Sequence, residues 1–291
     1  MRPTPSEKIF YGFNALFLGL WALTALVPLL HIVSLSFSSN HAILAGKVFI
    51  WPVEFSFDSY NALLKGTRVP DAFVNSLIIT SVGVALNMLF TILAAYPLSK
   101  RYFIGRRFMT MLIIFTMLFS GGIIPSYLLV KSLGLIDSYW AIWLPSLVSA
   151  YNMLIMKTFF ENVPEELLDS ARMDGCGEWR LAVQIVLPLS APVLATLALF
   201  YGVSHWNSFM NVLIYINDSS KYNLSVLIQQ MVAQSSLMNE LQNLQEADRQ
   251  MLTPESIRSA GMTVMLIPMI VVYPLLQKHF VKGVLIGAIK G

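Results

Sequence analysis

Long apolar stretches, separated by short charged clusters, set the pattern of this chain. No Lys, Arg, Asp or Glu occurs in 9–46, 72–99, 108–130, 138–156, 181–217 or 259–277, and each run is at least 19 residues long. A helix that crosses a bilayer needs roughly 20 apolar residues. Parts of the longest runs must be loop or interface, so helices are predicted near 10–36, 72–98, 108–130, 138–158, 189–215 and 259–279. Six such runs do not fit inside one soluble core. Barrel strands alternate over about 10 residues, whereas these runs are continuously apolar. The prediction is an all-α integral membrane protein with six transmembrane helices, forming one domain over 1–291 with its core at about 70–280.

Composition supports this reading. The chain is 56% hydrophobic and 12% charged, with a mean hydropathy of +0.66, against about 25% charged residues in a typical soluble domain. The net charge of +3 reflects orientation in a membrane rather than affinity for nucleic acid. The single cysteine, Cys176, excludes an internal disulfide. The first apolar run exceeds the about 7–15 residues of a signal-peptide core, and no small-x-small site follows it, so it is read as a retained first helix.

Basic residues set the orientation. With six spans, the N-terminus, the second and fourth loops and the C-terminus share one side, which holds 12 Lys and Arg against 7 on the other. The short loop with Lys100, Arg101, Arg106 and Arg107 decides the matter, and both termini are expected in the cytoplasm. The loop near 37–71 then lies outside, with Trp51 and Tyr60 suited to headgroup level. In helix three, Gly121, Gly122 and Pro125 should break or bend the backbone. The break either lines a cavity or is an irregular loop end.

The longest charged, helix-compatible segment between two apolar blocks is Pro164–Pro192, preceded by Glu161. Pro164 suits a first helical turn, and Glu165 and Glu166 suit the positive helix end. Leu167, Leu168 and Ala171 make an apolar face. Asp174-Gly175 ends this helix. A second short piece carries Trp179, Ala182, Val183 and Val186 and is expected to stop at Leu187-Pro188. A cytoplasmic, charged insert in so apolar a chain reads as a docking element for a soluble partner.

Helix five has a polar stripe of Tyr201, Ser204, His205, Asn207, Ser208 and Asn211 around Trp206, and helix four carries Asn152. Polar side chains in a span face the bundle interior or a cavity. A solute pathway built from Tyr201, Trp206, Asn207, Asn211 and Asn152 is one reading, and interhelical hydrogen bonding is the other. His205 alone reads better as a packed histidine than as a ligand or proton relay. The loop 216–258 is long and rich in amides, including Gln229, Gln230, Gln234 and Asn239. It is either a solvated cap or a surface that meets an external partner.

Other classes fit less well. Ion-coupled carriers usually need ionisable groups within the membrane, and away from their ends the predicted spans contain only His31 and His205. Four scattered histidines make no metal or catalytic cluster, so no catalytic residue and no metal site is assigned. There is no G-x-x-x-x-G-K-S/T phosphate loop, so the chain is not its own ATPase. An ion-coupled secondary transporter, or a permease for a non-sugar solute, remains the alternative.

The charged segment also resembles a known pattern. Permease subunits of binding-protein-dependent ABC importers carry a cytoplasmic EAA-x3-G-x9-I-x-L-P loop. Here the same spacing is Asp169-Ser170-Ala171, three residues, Gly175, nine residues, then Ile185-Val186-Leu187-Pro188. Asp and Ser replace the first two positions of the consensus. Arg172-Met173-Asp174-Gly175, Leu187 to Pro192, Trp206-Asn207-Ser208 and the ending Val281-Lys282-Gly283 to Lys290-Gly291 are similar to the carbohydrate-uptake branch. The stretch 121–145 is similar to permeases for polysaccharide fragments, including uronate-containing ones such as alginate.

The resemblance implies a type I ABC importer permease fold in a bacterial inner membrane. It implies a heterodimer with a homologous permease, two cytoplasmic ATPase subunits that hold ATP and Mg, an extracytoplasmic sugar-binding protein and an oligosaccharide substrate. No cofactor is implied on this chain. The loop 161–188, with Glu166, Leu167, Leu168, Asp169, Ser170, Ala171, Arg172, Met173, Asp174, Gly175, Ile185, Leu187 and Pro188, would be the coupling element. Leu167, Leu168, Ala171 and Met173 would supply apolar burial in the ATPase groove, and Arg172 and the carboxylates would supply register. The loop 216–258 would meet the binding protein, and the tail 280–291 would reach the ATPase interface.

Overall fold

All six apolar runs are largely helical, three as one long helix each and three divided, and the breaks are set by proline, glycine and capping side chains. The computed structural model describes residues 4–233 and 254–288, with 5–6 and 275–288 described as backbone only. Among the described residues there is no strand, only a single bridge between Ser38 and Phe55. The chain forms two compact units, one of 1–70 with 227–267 and one of 71–226 with 268–291.

In the first unit, α1 (Pro5–Ser36) starts at a capping box in which Thr4 and Glu7 exchange hydrogen bonds. At 1.5 Å per residue it is about 48 Å long, more than a bilayer core of about 30 Å. The segment after it is not simply loop. It holds α2 (Asn40–Leu44) and α3 (Asp58–Gly66). The end of α1 is tied down by His31 Nδ1, which donates to the Phe49 carbonyl at 2.7 Å, and by a knot of Phe37, Phe55, Phe57 and Tyr60 rings. Tyr60 also bonds with Ser36 at 2.9 Å and belongs to this knot, whereas Trp51 is exposed.

α4 (Val69–Ser99) is a continuous apolar helix. The third run divides into α5 (Arg106–Leu118) and α6 (Ile123–Ser132), bent by 113°. The break falls at Gly122, whose φ of +84° lies where a glycine is favoured. The fourth run, predicted as one helix, is instead α7 (Trp140–Trp143), a 3-10 turn at Leu144–Ser146 and α8 (Ala150–Glu161). Pro145 has no N–H to continue the ladder, and Ser149 caps α8 by accepting from the Asn152 N–H.

The charged insert forms α9 (Glu165–Met173). A second piece starts with α10 (Glu178–Leu181), passes through a π turn at Ala182–Val186 and closes with α11 (Leu187–Leu189). Leu187-Pro188 therefore does not end the second piece. The π turn widens the backbone where the Pro188 ring would otherwise meet the preceding turn, and the stop comes at Ser190. There the chain bends by 82° into α12 (Ala191–Trp206).

α12 breaks at Asn207-Ser208 and α13 (Phe209–Tyr215) follows. The region read as polar loop contains α14 (Leu224–Val232), and α15 (Pro254–Ala288) is the last helix. By length and composition, parts of α1, α4 and α15 can each cross a membrane alone, and the two bent pairs can each form one further span.

The main core lies in the second unit. Ala95 and Leu98 of α4, Met153, Met156 and Phe160 of α8, and Val193 and Leu197 of α12 are buried together. Leu168, Ala171, Leu181 and Val186 of the charged insert join the same cluster.

Candidate functional site

α9 is amphipathic, and its two apolar edges face different ways. Leu168 and Ala171 are buried in the chain's own core. Leu167 is 48% and Met173 89% exposed, and Glu166, Asp169 and Ser170 are also on the surface. The four apolar residues expected to meet a partner together thus divide: two anchor the element and two face outward.

Pro164 precedes α9 as its cap rather than occupying the first turn. The C-terminal end is a Schellman motif. Cys176 N–H donates to the Ala171 carbonyl at 3.0 Å, and Gly175 N–H donates to the Arg172 carbonyl at 3.0 Å. Gly175 has φ +81°, the left-handed conformation that this motif requires. Asp174 is its cap.

Arg172 is committed within the chain. Its guanidinium donates to Asp169 at 2.8 Å and, across the glycine corner, to Glu178 Oε1 at 3.2 and 3.3 Å. It also lies 5.6 Å from the Tyr102 ring centre. The other Glu178 oxygen accepts from the Tyr96 hydroxyl of α4 at 2.9 Å. The register expected of Arg172 toward a partner is therefore register between α9, α10 and α4. Ile185 and Leu187 pack against the core, while Pro188 is exposed. The outcome is a rigid, internally braced bend that presents Leu167, Met173 and carboxylates to its surroundings.

A second feature lies among α4, α8, α12 and α13. A cavity of about 330 Å³ is lined by neutral polar groups, including Asn87, Ser149, Asn152, Ser204, His205 and Asn211. Its wall is fixed by a chain of bonds. Asn87 Nδ2 donates to the Ser146 carbonyl, which leaves its Oδ1 as acceptor, so His205 Nε2, 2.9 Å away, carries the proton. The Tyr201 hydroxyl bonds with Thr91 at 2.7 Å and accepts from the Ser149 N–H at 3.2 Å.

By contrast, the side chains of Asn152, Ser204 and Asn211 make no hydrogen bond among the described residues, and Asn152 is 6% exposed. Ser204 and Asn211 are exposed, and the Asn152 amide is also accessible at the cavity edge, so all three present free polar groups to the cavity rather than sealing them in the chain's core. An adjoining cavity of about 300 Å³ shares Pro145, Ser146 and Asn211 with the first and is bordered by Ser120 and Gly122 at the α5–α6 break. The glycine break lines a cavity, which is where non-helical backbone is tolerated at membrane depth.

Of the five residues read as a pathway, Tyr201, Asn152 and Asn211 line the first cavity. Trp206 is buried edge-on against Phe73 at 5.9 Å. Asn207 is exposed and donates to the Val203 carbonyl at 3.0 Å. The α12–α13 break removes the one-turn spacing of Asn207 and Asn211 that a continuous helix would give.

Gln229 is exposed on α14 and Gln230 is partly exposed, while Gln234 and Asn239 lie outside the described residues. Sequence reading missed α14 itself. Leu224, Leu227, Ile228 and Met231 are buried at i, i+3, i+4 and i+7 spacing, a helical signal hidden among the amides. It also missed the clamp on the preceding turn. Asp137 accepts from the Asn217 and Asp218 N–H groups at 3.1 and 3.0 Å, Lys221 donates to the Asp137 carbonyl at 2.8 Å, and Asn75 donates to the Ser220 and Tyr222 carbonyls. No cluster of three or more metal-ligating side chains occurs among the described residues.

The model of the family described as binding-protein-dependent transport system inner membrane component matches residues 69–286. The chain is 41% identical to the polygalacturonan/rhamnogalacturonan transport system permease protein YtcP of Bacillus subtilis (strain 168), over 98% of each chain. It is 42% identical to protein LplC of the same organism, over 100% of this chain and 98% of the relative. Its fold matches a chain of a bacterial ABC transporter involved in the import of the acidic polysaccharide alginate, with a TM-score of 0.87 and 31% identity, covering 96% of this chain and 99% of the other.

Proposed function

The chain belongs to the family of binding-protein-dependent transport system inner membrane components, and on that premise we propose that it is the permease subunit of an ATP-driven oligosaccharide importer. The substrate class is a uronate-containing fragment of an acidic polysaccharide. The observation that carries the coupling role is the braced α9 bend, anchored inward by Leu168 and Ala171 and presenting Leu167 and Met173 outward. An element of this kind transmits force because it cannot rotate independently of α4 and α8.

In this reading both termini are cytoplasmic and a homologous permease completes the membrane domain. Two ATPase subunits bind ATP and Mg, and each grips one such bend. Closure of the ATPase pair moves the bends and switches the cavity between inward and outward access. An extracytoplasmic binding protein delivers the sugar on the side of the 216–258 loop. The unpartnered Asn152, Ser204 and Asn211 suit sugar hydroxyls, which need neutral donors and acceptors. Among the described residues no Lys or Arg lines either cavity, so the countercharge for uronate carboxylates falls to the partner permease. The substrate class draws on the named substrates of YtcP and of the structurally similar importer. The ion-coupled alternative is weaker because both span histidines are held in local pairs, His31 with Phe49 and His205 with Asn87.

The test purifies the chain with its copurifying subunits and reads ATP hydrolysis against oligouronates and neutral oligosaccharides in the presence of the binding protein. Stimulation by oligouronates is expected. Stimulation by neutral sugars alone overturns the substrate class, and uptake that persists without ATP on an ion gradient overturns the importer class. In the same preparation, Met173→Asp should lose the ATPase subunits while the chain still folds and inserts. Full retention of the ATPase would remove the handle role from this face.

A further inference from the structure

We infer that the groove at the start of α5 is a binding site for an anionic phospholipid headgroup of the adjoining leaflet. The groove is open, about 830 Å³, and Arg101, Arg106, Arg107 and Lys157 line it beside Phe103, Phe108 and Met111. The charge in it is not balanced within the chain. Arg106 and Lys157 share one carboxylate oxygen of Glu161, at 2.8 and 2.9 Å. Arg101 has Glu165 at 3.6 Å. Arg107 has no partner among the described residues. One carboxylate between two cations, plus an unpaired arginine, leaves an excess of two positive charges in one groove.

The apolar part of the site identifies which anion fits. Ile104 is 96% exposed, and Phe103, Phe108 and Met111 are also on the surface. No residue of α5 is buried, and its cytoplasm-facing end in the proposed orientation is where these cations cluster. A soluble phosphate would gain nothing from Phe108 and Met111. A phospholipid would place its phosphate among Arg106, Arg107 and Lys157 and its acyl chains along the exposed face of α5. Arginine pairs with phosphate oxygens through two parallel N–H donors, and basic pockets beside spans on the cytoplasmic side hold anionic headgroups. The site depends on the chain lying in a membrane and is independent of the solute it carries, so failure of the sugar assignment does not touch it.

The experiment uses the full-length chain with its copurifying subunits, titrated with phosphatidylglycerol, phosphatidylcholine or inorganic phosphate, with bound lipid counted by native mass spectrometry. Phosphatidylglycerol should be retained preferentially. At about fivefold per basic residue removed, Arg107→Gln should weaken that preference about fivefold. Glu161→Gln removes the competing carboxylate and should strengthen it by a similar factor, a gain that misfolding cannot imitate. An unchanged phosphatidylglycerol preference in both variants overturns the site. Displacement of phosphatidylglycerol by equimolar inorganic phosphate also overturns it, because the groove would then be a free-anion site.

Discussion

Gly83→Ala is the smallest change that tests how the polar cavity is held. Gly83 lies on α4 opposite His205 of α12. A Cβ at Gly83 would stand 2.6 Å from His205 Nε2, 2.7 Å from Cδ2 and 2.9 Å from Cε1. Comfortable carbon contacts are at about 3.5–4.0 Å, so the ring must retreat by about 1 Å. The imidazole is planar and 5% exposed, so it has no flexible end to swing aside. Retreat breaks its 2.9 Å bond to Asn87, whose own amide is fixed on the Ser146 carbonyl.

Overpacking costs about 1–3 kcal/mol, and an interhelical hydrogen bond in a membrane is worth about 0.6–1.7 kcal/mol. The higher helix propensity of alanine offsets about 1 kcal/mol. A net loss of about 1–4 kcal/mol is expected. The assay is the unfolding midpoint of the purified chain in detergent for Gly83→Ala, His205→Ala and the double variant. With the imidazole gone, Gly83→Ala should be neutral or slightly stabilising, so the cycle is strongly non-additive. If Gly83→Ala costs the same in both backgrounds, the contact with His205 is not what Gly83 provides.

Substitutions at two other positions, Gly175 and Asp137, probe the corner after α9 and the clamp on the 217–222 turn. Gly175→Ala meets nothing within 4 Å, so its cost is backbone strain alone at φ +81°, about 1–2 kcal/mol. Gly175→Asn should cost less, because Asn tolerates the left-handed region; an unfolding midpoint left unchanged by Gly175→Ala would refute the corner. Asp137 is held below its ordinary value of 3.8, first by the Asp218 N–H and then by Asn217 and Lys221, against some burial that raises it. Its folded pKa is the lower one, so the clamp's contribution is present above the ordinary carboxylate range and disappears as pH falls through the lowered value. The 217–222 turn should therefore keep its amide-exchange protection from neutral pH down to about pH 4 and lose it on further acidification, and Asp137→Asn should abolish that dependence; an unchanged profile in the variant would place the titration elsewhere.

How far the sequence reveals these features follows from the range of the forces involved. A span satisfies its backbone groups within itself, so the six apolar runs mark helices without reference to any neighbour. The break at Gly122 and the corner at Gly175 are legible for the same reason: the backbone conformation is local, and only glycine adopts it at low cost. Phase is different. Leu167, Leu168, Ala171 and Met173 all look like one docking face, because periodicity reveals that a helix has an apolar side and not where its core is. The neighbouring Met156 and Phe160 of α8 decide that Leu168 and Ala171 turn inward and Met173 outward. In the same way α14 is hidden because its buried Leu227, Ile228 and Met231 alternate with glutamines that the polar count sees first.

Polar residues inside spans show the limit most directly. Their presence means that a partner is needed, since a buried amide without one costs about 1–3 kcal/mol, but the partner can be the chain or a ligand. Asn75, Asn87 and Asn152 are alike in sequence, each an isolated amide flanked by mostly apolar residues. Asn75 reaches carbonyls 145 and 147 residues away, and Asn87 is locked between Ser146 and His205. Asn152 alone of the three has an amide that the described chain leaves unfilled, at the edge of a cavity. The distinction between a brace and a contact for solute lies in which side chains already have partners. That is decided by residues far apart in sequence, and it is why the fold class is readable from one dimension while the solute path requires three.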